Sequence, residues 1–188
     1  MVFLAGSVKD NDFWLARELV LSTGPKLLIN ITPADPDIDI TNALAISGSK
    51  ESFISVDKND TVQSAMNVIR DISSLLLLPT LICIDFADIK EVLDGSSGKA
   101  FYIESPMGQS IERFRTFVLR NKHLLMNTDA FCLALSYDYR TNPTLDDMTK
   151  ISDELYKNSK KDADFIWSCT HVQKLNTDFR ATLLSVEK

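Results

Sequence analysis

Asp85 and Asp88 stand three residues apart around Phe86 and Ala87, within the run Leu81-Ile82-Cys83-Ile84-Asp85-Phe86-Ala87-Asp88-Ile89. Carboxylates at i and i+3 lie on one side of a helical turn, so both can face one small target. The same positions also suit helix-terminus chemistry. An aspartate before a helix caps it, and an acid in the first turn complements the macrodipole. Phe86 reads as core packing under either view. Cys83 has an apolar setting and no histidine close in sequence, which favours an inert small hydrophobe over a reactive thiol.

Other chemistry-bearing residues are sparse. Asp35, Asp37 and Asp39 alternate in a way that can converge on a hard cation, but the glycine and distal glutamate of an EF-hand are missing. The three cysteines (Cys83, Cys132, Cys169) and two histidines (His123, His171) are far apart, with no metal-ligand spacing. Lys157, Lys160 and Lys161 read as a solvated helix end. No Gly-x-Ser-x-Gly, His-Glu-x-x-His or phosphate-binding Lys-Ser/Thr motif occurs.

The elements that must position the pair follow from the apolar pattern. Val2–Ala5, 26–32 and 52–56 read as short buried strands. A helix over 13–23, with Trp14, Leu15, Leu19 and Val20 inward, separates the first two, which suggests a parallel crossover. A loop over 33–39 and a short helix over 42–46 come next. A long helix opens at Asn59 or Asp60, with Val62, Met66, Ile69, Ile72 and Leu76 inward beside Ala65 and Leu75. It ends near Leu78, because Pro79 disfavours helix in the residue before it. At 1.5 Å per residue it spans roughly 28 Å, enough to connect two lobes.

Beyond a turn at 95–98, strands are expected over 99–104, 130–137, 164–170 and 180–186. Helices are expected over 109–122 (Ile111, Phe114, Phe117 and Val118 inward) and from Thr144 to Asn158, where Thr144 and Asp147 form an acidic capping box. Turns are expected at Asn142-Pro143 and 159–162, and a polar stretch over 173–178. The result is a compact α+β unit with a mixed sheet. The boundary falls at Pro79, giving lobes over 1–79 and 80–188.

The net charge of −6 over 188 residues argues against nucleic-acid or anionic-membrane partners, which attract basic patches. No apolar block, the four leucines Leu75–Leu78 included, approaches the length of a membrane span. With an odd number of dispersed cysteines and no signal peptide visible, a soluble cytoplasmic protein is expected.

The Asp85-Phe86-Ala87-Asp88 run, preceded by a long helix and Pro79, resembles the synergy loop of the FtsZ/tubulin family, whose pattern in FtsZ is close to N-x-D-F-A-D-V. The order of elements resembles that family through Val186, and Phe3-Leu4-Ala5-Gly6 and Ile29-Asn30-Ile31-Thr32-Pro33 resemble the strands around its glycine-rich phosphate loop. The resemblance implies an α/β fold: a partial Rossmann-like lobe, a central helix, and an FtsZ C-terminal-type domain with a four-stranded mixed sheet. It also implies that the loop reaches the GTP of a neighbouring subunit, with Asp85 and Asp88 acting in trans and Cys83 and Phe86 at the interface.

The departures bear on nucleotide binding. Ser7-Val8-Lys9-Asp10-Asn11-Asp12 stands where the family has successive glycines, which close backbone N–H groups on phosphate. Two aspartates repel phosphate instead. The guanine-reading aspartate falls on Gln63, the ring-stacking aromatic near Asn59, and the loop's asparagine on Cys83. About a hundred residues that open the family's nucleotide-binding fold are not matched. No GTP bound by the chain alone is therefore expected, and no autonomous GTPase. The partner expected is an FtsZ-type protein or a second copy, whose filaments or GTP turnover the chain modulates. Two alternatives stay open: a non-catalytic dimerisation module, or a fragment whose GTP-binding half is supplied in trans.

Overall fold

The protein is described from a computed structural model, over residues 1–7, 9–33, 51–56, 58–93, 96–105, 110–138, 144–172 and 179–187. The expected acidic loop at 35–39, the helix at 42–46, the Asn142-Pro143 turn and the polar stretch at 173–178 lie outside these residues.

Among the described residues, seven strands form one mixed sheet: β1 (Val2–Ala5), β2 (Leu28–Pro33), β3 (Glu51–Val56), β4 (Ser97–Ser105), β5 (Ala130–Asp138), β6 (Asp164–Val172) and β7 (Phe179–Glu187). The spatial order is β1-β2-β3-β4-β7-β5-β6. The first four run parallel, β7 is antiparallel to both β4 and β5, and β6 is parallel to β5. The chain therefore has a parallel α/β lobe followed by a four-stranded mixed sheet. Pairing of Phe53–Ser55 with Ser97–Lys99 joins them, so strands on either side of Pro79 share one sheet.

The helices are α1 (Asn11–Ser22), α2 (Thr61–Leu77), α3 (Phe86–Leu93), α4 (Ser110–Arg120), the short α5 (Lys122–Leu125) and α6 (Leu145–Asn158). Strand side chains alternate between faces, and two cores form accordingly. Along β5, Ala130, Cys132 and Ala134 meet α2 and α3, whereas Phe131, Leu133, Leu135 and Tyr137 meet α4 and α6. The long helix α2 packs on every strand from β2 to β7, as its length requires for spanning both lobes.

The inward face of α1 is rotated from its expected one, whereas α2 buries Ala65, Ile72 and Leu75 and packs Ile69 and Leu76 on the core as expected, departing only at its first turns. In α1 it is Phe13 and Arg17 that are buried, and Leu15 and Leu19 are about 70% exposed. Arg17 forks onto the buried Glu51 carboxylate (Nε–Oε1 2.6 Å, Nη2–Oε2 2.5 Å), which turns this polar residue inward. Gly6 makes room for Phe13: a Cβ there would lie 2.9 Å from the ring. In α2, Asn67, Asp71 and Ser74 sit on the buried arc and Val62 and Met66 are exposed. Asp71 is drawn inward by Arg180 and Thr182 on β7. Apolar periodicity cannot register partners more than a hundred residues away.

Ser97 and Gly98, read as turn, belong to β4. A Cβ at Gly98 would lie 2.3 Å from the Ser185 carbonyl oxygen, so the β4–β7 ladder needs glycine here.

The expected capping box of α6 is present. The Thr144 hydroxyl accepts from the Asp147 N–H (3.1 Å), and the Asp147 carboxylate accepts from the Thr144 N–H (3.0 Å). The Thr144 N–H and hydroxyl hold the Asp147 carboxyl below its ordinary 3.8. A depressed folded pKa gives stability that is present above 3.8 and lost as pH falls through the folded value. Thr144→Ala is expected to cost about 1 kcal/mol at neutral pH. The difference from wild type should shrink below pH 3.8, read by urea unfolding at several pH values.

Candidate functional site

The two aspartates come together at the start of α3. Asp85 Oδ1 accepts the N–H of Ala87 (2.6 Å) and of Asp88 (3.0 Å), and Asp88 Oδ2 accepts the N–H of Asp85 (2.8 Å). This is a reciprocal capping box built from two carboxylates. The helix-terminus role is therefore real. It uses one oxygen of each side chain, and among the described residues Asp85 Oδ2 and Asp88 Oδ1 accept no hydrogen bond. Asp85 is exposed and Asp88 half-buried, so the free oxygens sit at the surface on a fixed helix end.

The loop is held from below and behind. Ile89, Val92 and Leu93 of α3 are buried in the core shared with α2, and Ile84 and Phe86 pack against it half-buried. The preceding segment lies along the outer edge of β6. Thr80 bridges to Thr170, the Leu81 N–H donates to the Cys169 carbonyl (2.9 Å), and the Ser168 hydroxyl donates to the Ile82 carbonyl (2.5 Å). The Thr80 hydroxyl donates to the same carbonyl at 2.8 Å. The sequence reading missed these β6 residues. Their only signal was hydroxyl side chains at alternate positions, Ser168 and Thr170, on one face of an apolar strand.

Cys83 is exposed at the loop's tip, whereas Cys132 and Cys169 are buried and burial pushes both thiols up to about 12. Exposed Leu77, Leu78, Leu81 and Ile82 give the loop an apolar collar. Among the described residues no group of three or more His, Cys, Asp or Glu side chains is placed to hold a metal ion. None of their helices is long and apolar enough to cross a membrane.

At the opposite end of the molecule's order, the β1–α1 turn is capped by acid. Asp10 is the N-cap of α1 and accepts from the Asp12 N–H at 3.0 Å, with Asp12 in the first turn. A helix N-terminus after a strand is a ready anion site, but here carboxylates already occupy it. Gln63, on the exposed side of α2, donates to Asn67 Oδ1 at 3.0 Å.

No family model and no curated protein matches the sequence. Solved structures do match over nearly the whole chain. An empty FtsZ dimer from M. jannaschii is similar with a TM-score of 0.72 and 15% identity, over 100% of this chain and 63% of that one. The chain has an FtsZ/tubulin-like fold. CetZ from Methanosaeta thermophila follows at TM-score 0.64 and 13% identity, over 98% of this chain and 61% of its own. A GTPγS-form protofilament of TubZ from Bacillus thuringiensis serovar israelensis gives 0.56 and 11%, over 98% and 59%. The chain thus spans about three fifths of the length of these FtsZ-like proteins, and at such identities the likeness is one of fold.

Proposed function

We propose that this FtsZ/tubulin-like chain is an assembly subunit that presents its 81–88 loop to an FtsZ-type partner carrying GTP and changes that partner's filament assembly or GTP turnover. One observation carries the reading: Asp85 and Asp88 spend one oxygen each on capping α3 and keep the other at the surface. The helix end is thereby rigid, doubly acidic and accessible. Across an interface such oxygens accept hydrogen bonds from a water and orient it toward a γ-phosphate, the positioning and electrostatic contribution that phosphoryl transfer draws on. The apolar collar of Leu77, Leu78, Leu81 and Ile82 supplies area to exclude bulk water around that contact. The acids at the N-terminus of α1 favour donating a loop over receiving a nucleotide.

The test is GTP turnover of a complete FtsZ-type protein with and without this chain. Alanine at either position removes a cap as well as a charge, so asparagine is the informative substitution. It caps as well as aspartate and carries no charge. Asp85→Asn and Asp88→Asn should keep the unfolding midpoint and reduce the effect on partner turnover about tenfold or more. Unchanged modulation by both variants would remove the catalytic role.

A second reading, a non-catalytic assembly module, is favoured by β1. It pairs with β2 on one side, its other edge meets no described strand, and its side chains are partly exposed. Such an edge invites pairing with another chain, either a second copy or a complementing nucleotide-binding half. Light scattering that shows a monomer at all concentrations would count against self-pairing.

A further inference from the structure

We infer that Ser168 is a positioning residue for the 81–88 loop, acting through the Ile82 peptide. Its importance for a partner rests on the proposed function, but its hold on the loop does not. Ser168 is fully buried on β6, whereas Ile82 is 42% exposed. The hydroxyl of a buried residue thus reaches the backbone carbonyl of an exposed one and holds it at 2.5 Å. The Thr80 hydroxyl meets the same oxygen at 2.8 Å. That carbonyl is followed directly by Cys83, and Asp85 begins the cap two residues later. The orientation of the peptide between Ile82 and Cys83 therefore sets how the chain enters the acidic turn. Downstream, α3 is fixed by its core residues; upstream, Leu81 is fixed by the Cys169 carbonyl. Ser168 closes the span between these two anchors from the protein side.

Removing this hydroxyl should affect position more than stability. Ser168→Ala deletes one oxygen, and the Ile82 carbonyl it releases keeps the Thr80 hydroxyl as a donor at 2.8 Å. A buried orphan would be expensive, but this acceptor does not become one.

Cys83 gives a direct readout in the native chain. It is exposed while Cys132 and Cys169 are buried with thiols pushed up to about 12, so a thiol-reactive nitroxide labels Cys83 selectively. The labelled wild-type chain should show restricted nitroxide motion. Ser168→Ala should shorten the rotational correlation time severalfold with the urea midpoint unchanged. Ser168→Thr should restore restriction, since Thr170 shows that the same face of β6 accepts threonine. If Ser168→Ala lowers the folded yield, Thr80→Val removes the other hydroxyl from the same carbonyl and should move the label in the same direction.

Unchanged motion in the alanine variant overturns the inference. So does greater motion that merely tracks a lowered urea midpoint, since that is general loosening. In the partner turnover assay, loss of modulation with Asp85→Asn but not with Ser168→Ala would refute the positioning role alone. Modulation untouched by Asp85→Asn and Asp88→Asn would refute the catalytic reading, and the nitroxide result would still decide the case of Ser168.

Discussion

Asp71→Ala is expected to lower the free energy of unfolding by about 3–5 kcal/mol, the range for removing one partner of a buried ion pair. Asp71 is 1% exposed in the middle of α2. Its Oδ1 accepts from Arg180 Nη2 at 2.7 Å and from Arg70 Nε at 2.8 Å, and its Oδ2 accepts from the Thr182 hydroxyl. Arg180 is 6% exposed, and its Nε already has no partner, so among the described residues losing Asp71 leaves the buried guanidinium a long contact to Ser136 at 3.5 Å. The penalty is the stranded charge more than the lost attraction. Asp71→Asn keeps one acceptor oxygen but still strands the Arg180 charge, so it should cost nearly as much as alanine. A double change, Asp71→Leu with Arg180→Met, removes both charges and should recover much of the loss. Urea unfolding followed by far-UV circular dichroism measures all three. A loss below about 1 kcal/mol for Asp71→Ala would mean that Arg180 finds water or another acceptor, against the burial seen here.

Glu51→Ala should also be strongly destabilising, by about 3 kcal/mol, because it takes the forked partner from buried Arg17, which keeps the mostly exposed Glu18 carboxylate at 2.6 Å. Glu51 is fully buried at the start of β3 and receives both Arg17 bonds together with Asn30 Nδ2 at 2.6 Å. The forked pair raises the Arg17 pKa above its ordinary value, chiefly through the hydrogen bond to Glu51. A raised pKa contributes stability that is fully present below the ordinary arginine value, so the guanidinium stays charged and holds its carboxylate across ordinary pH. Without Glu51, Asn30 keeps only the weaker contact to the Ser52 carbonyl at 3.3 Å, and its Oδ1 has no partner to begin with. Arg17 also lies 5.5 Å over the Trp14 ring, and Trp14 stands 6.3 Å from Phe53. Glu51→Ala should therefore also shift the Trp14 fluorescence in the folded state. A variant with an unshifted spectrum and a loss below about 1 kcal/mol would show that α1 docks by its apolar contacts alone.

These two networks mark the limit of what the sequence could disclose. The order of strands and helices, the stop at Pro79 and both capping boxes rest on neighbours in sequence. Asp85 binds N–H groups two and three residues on, and Thr144 one three residues on, so spacing alone implies them. The family resemblance of the Asp-Phe-Ala-Asp loop was likewise visible, and the FtsZ/tubulin-like fold agrees with it. Which side of a helix faces inward is a different matter. Apolar periodicity pointed Leu15, Leu19, Val62 and Met66 toward the core, and all four are exposed. Arg17 and Asp71 took the inner arcs because Glu51 and Arg180 lie 34 and 109 residues away, on strands brought beneath them by the fold. Burying a charge is favourable only when its partner is already there, and no local pattern carries that information. The loop divides the same way. Its two carboxylates and their cap were determined by four adjacent residues; its attachment to Ser168 and Cys169, 86 and 88 residues from the atoms they hold, was decided only when β6 came to lie beside it.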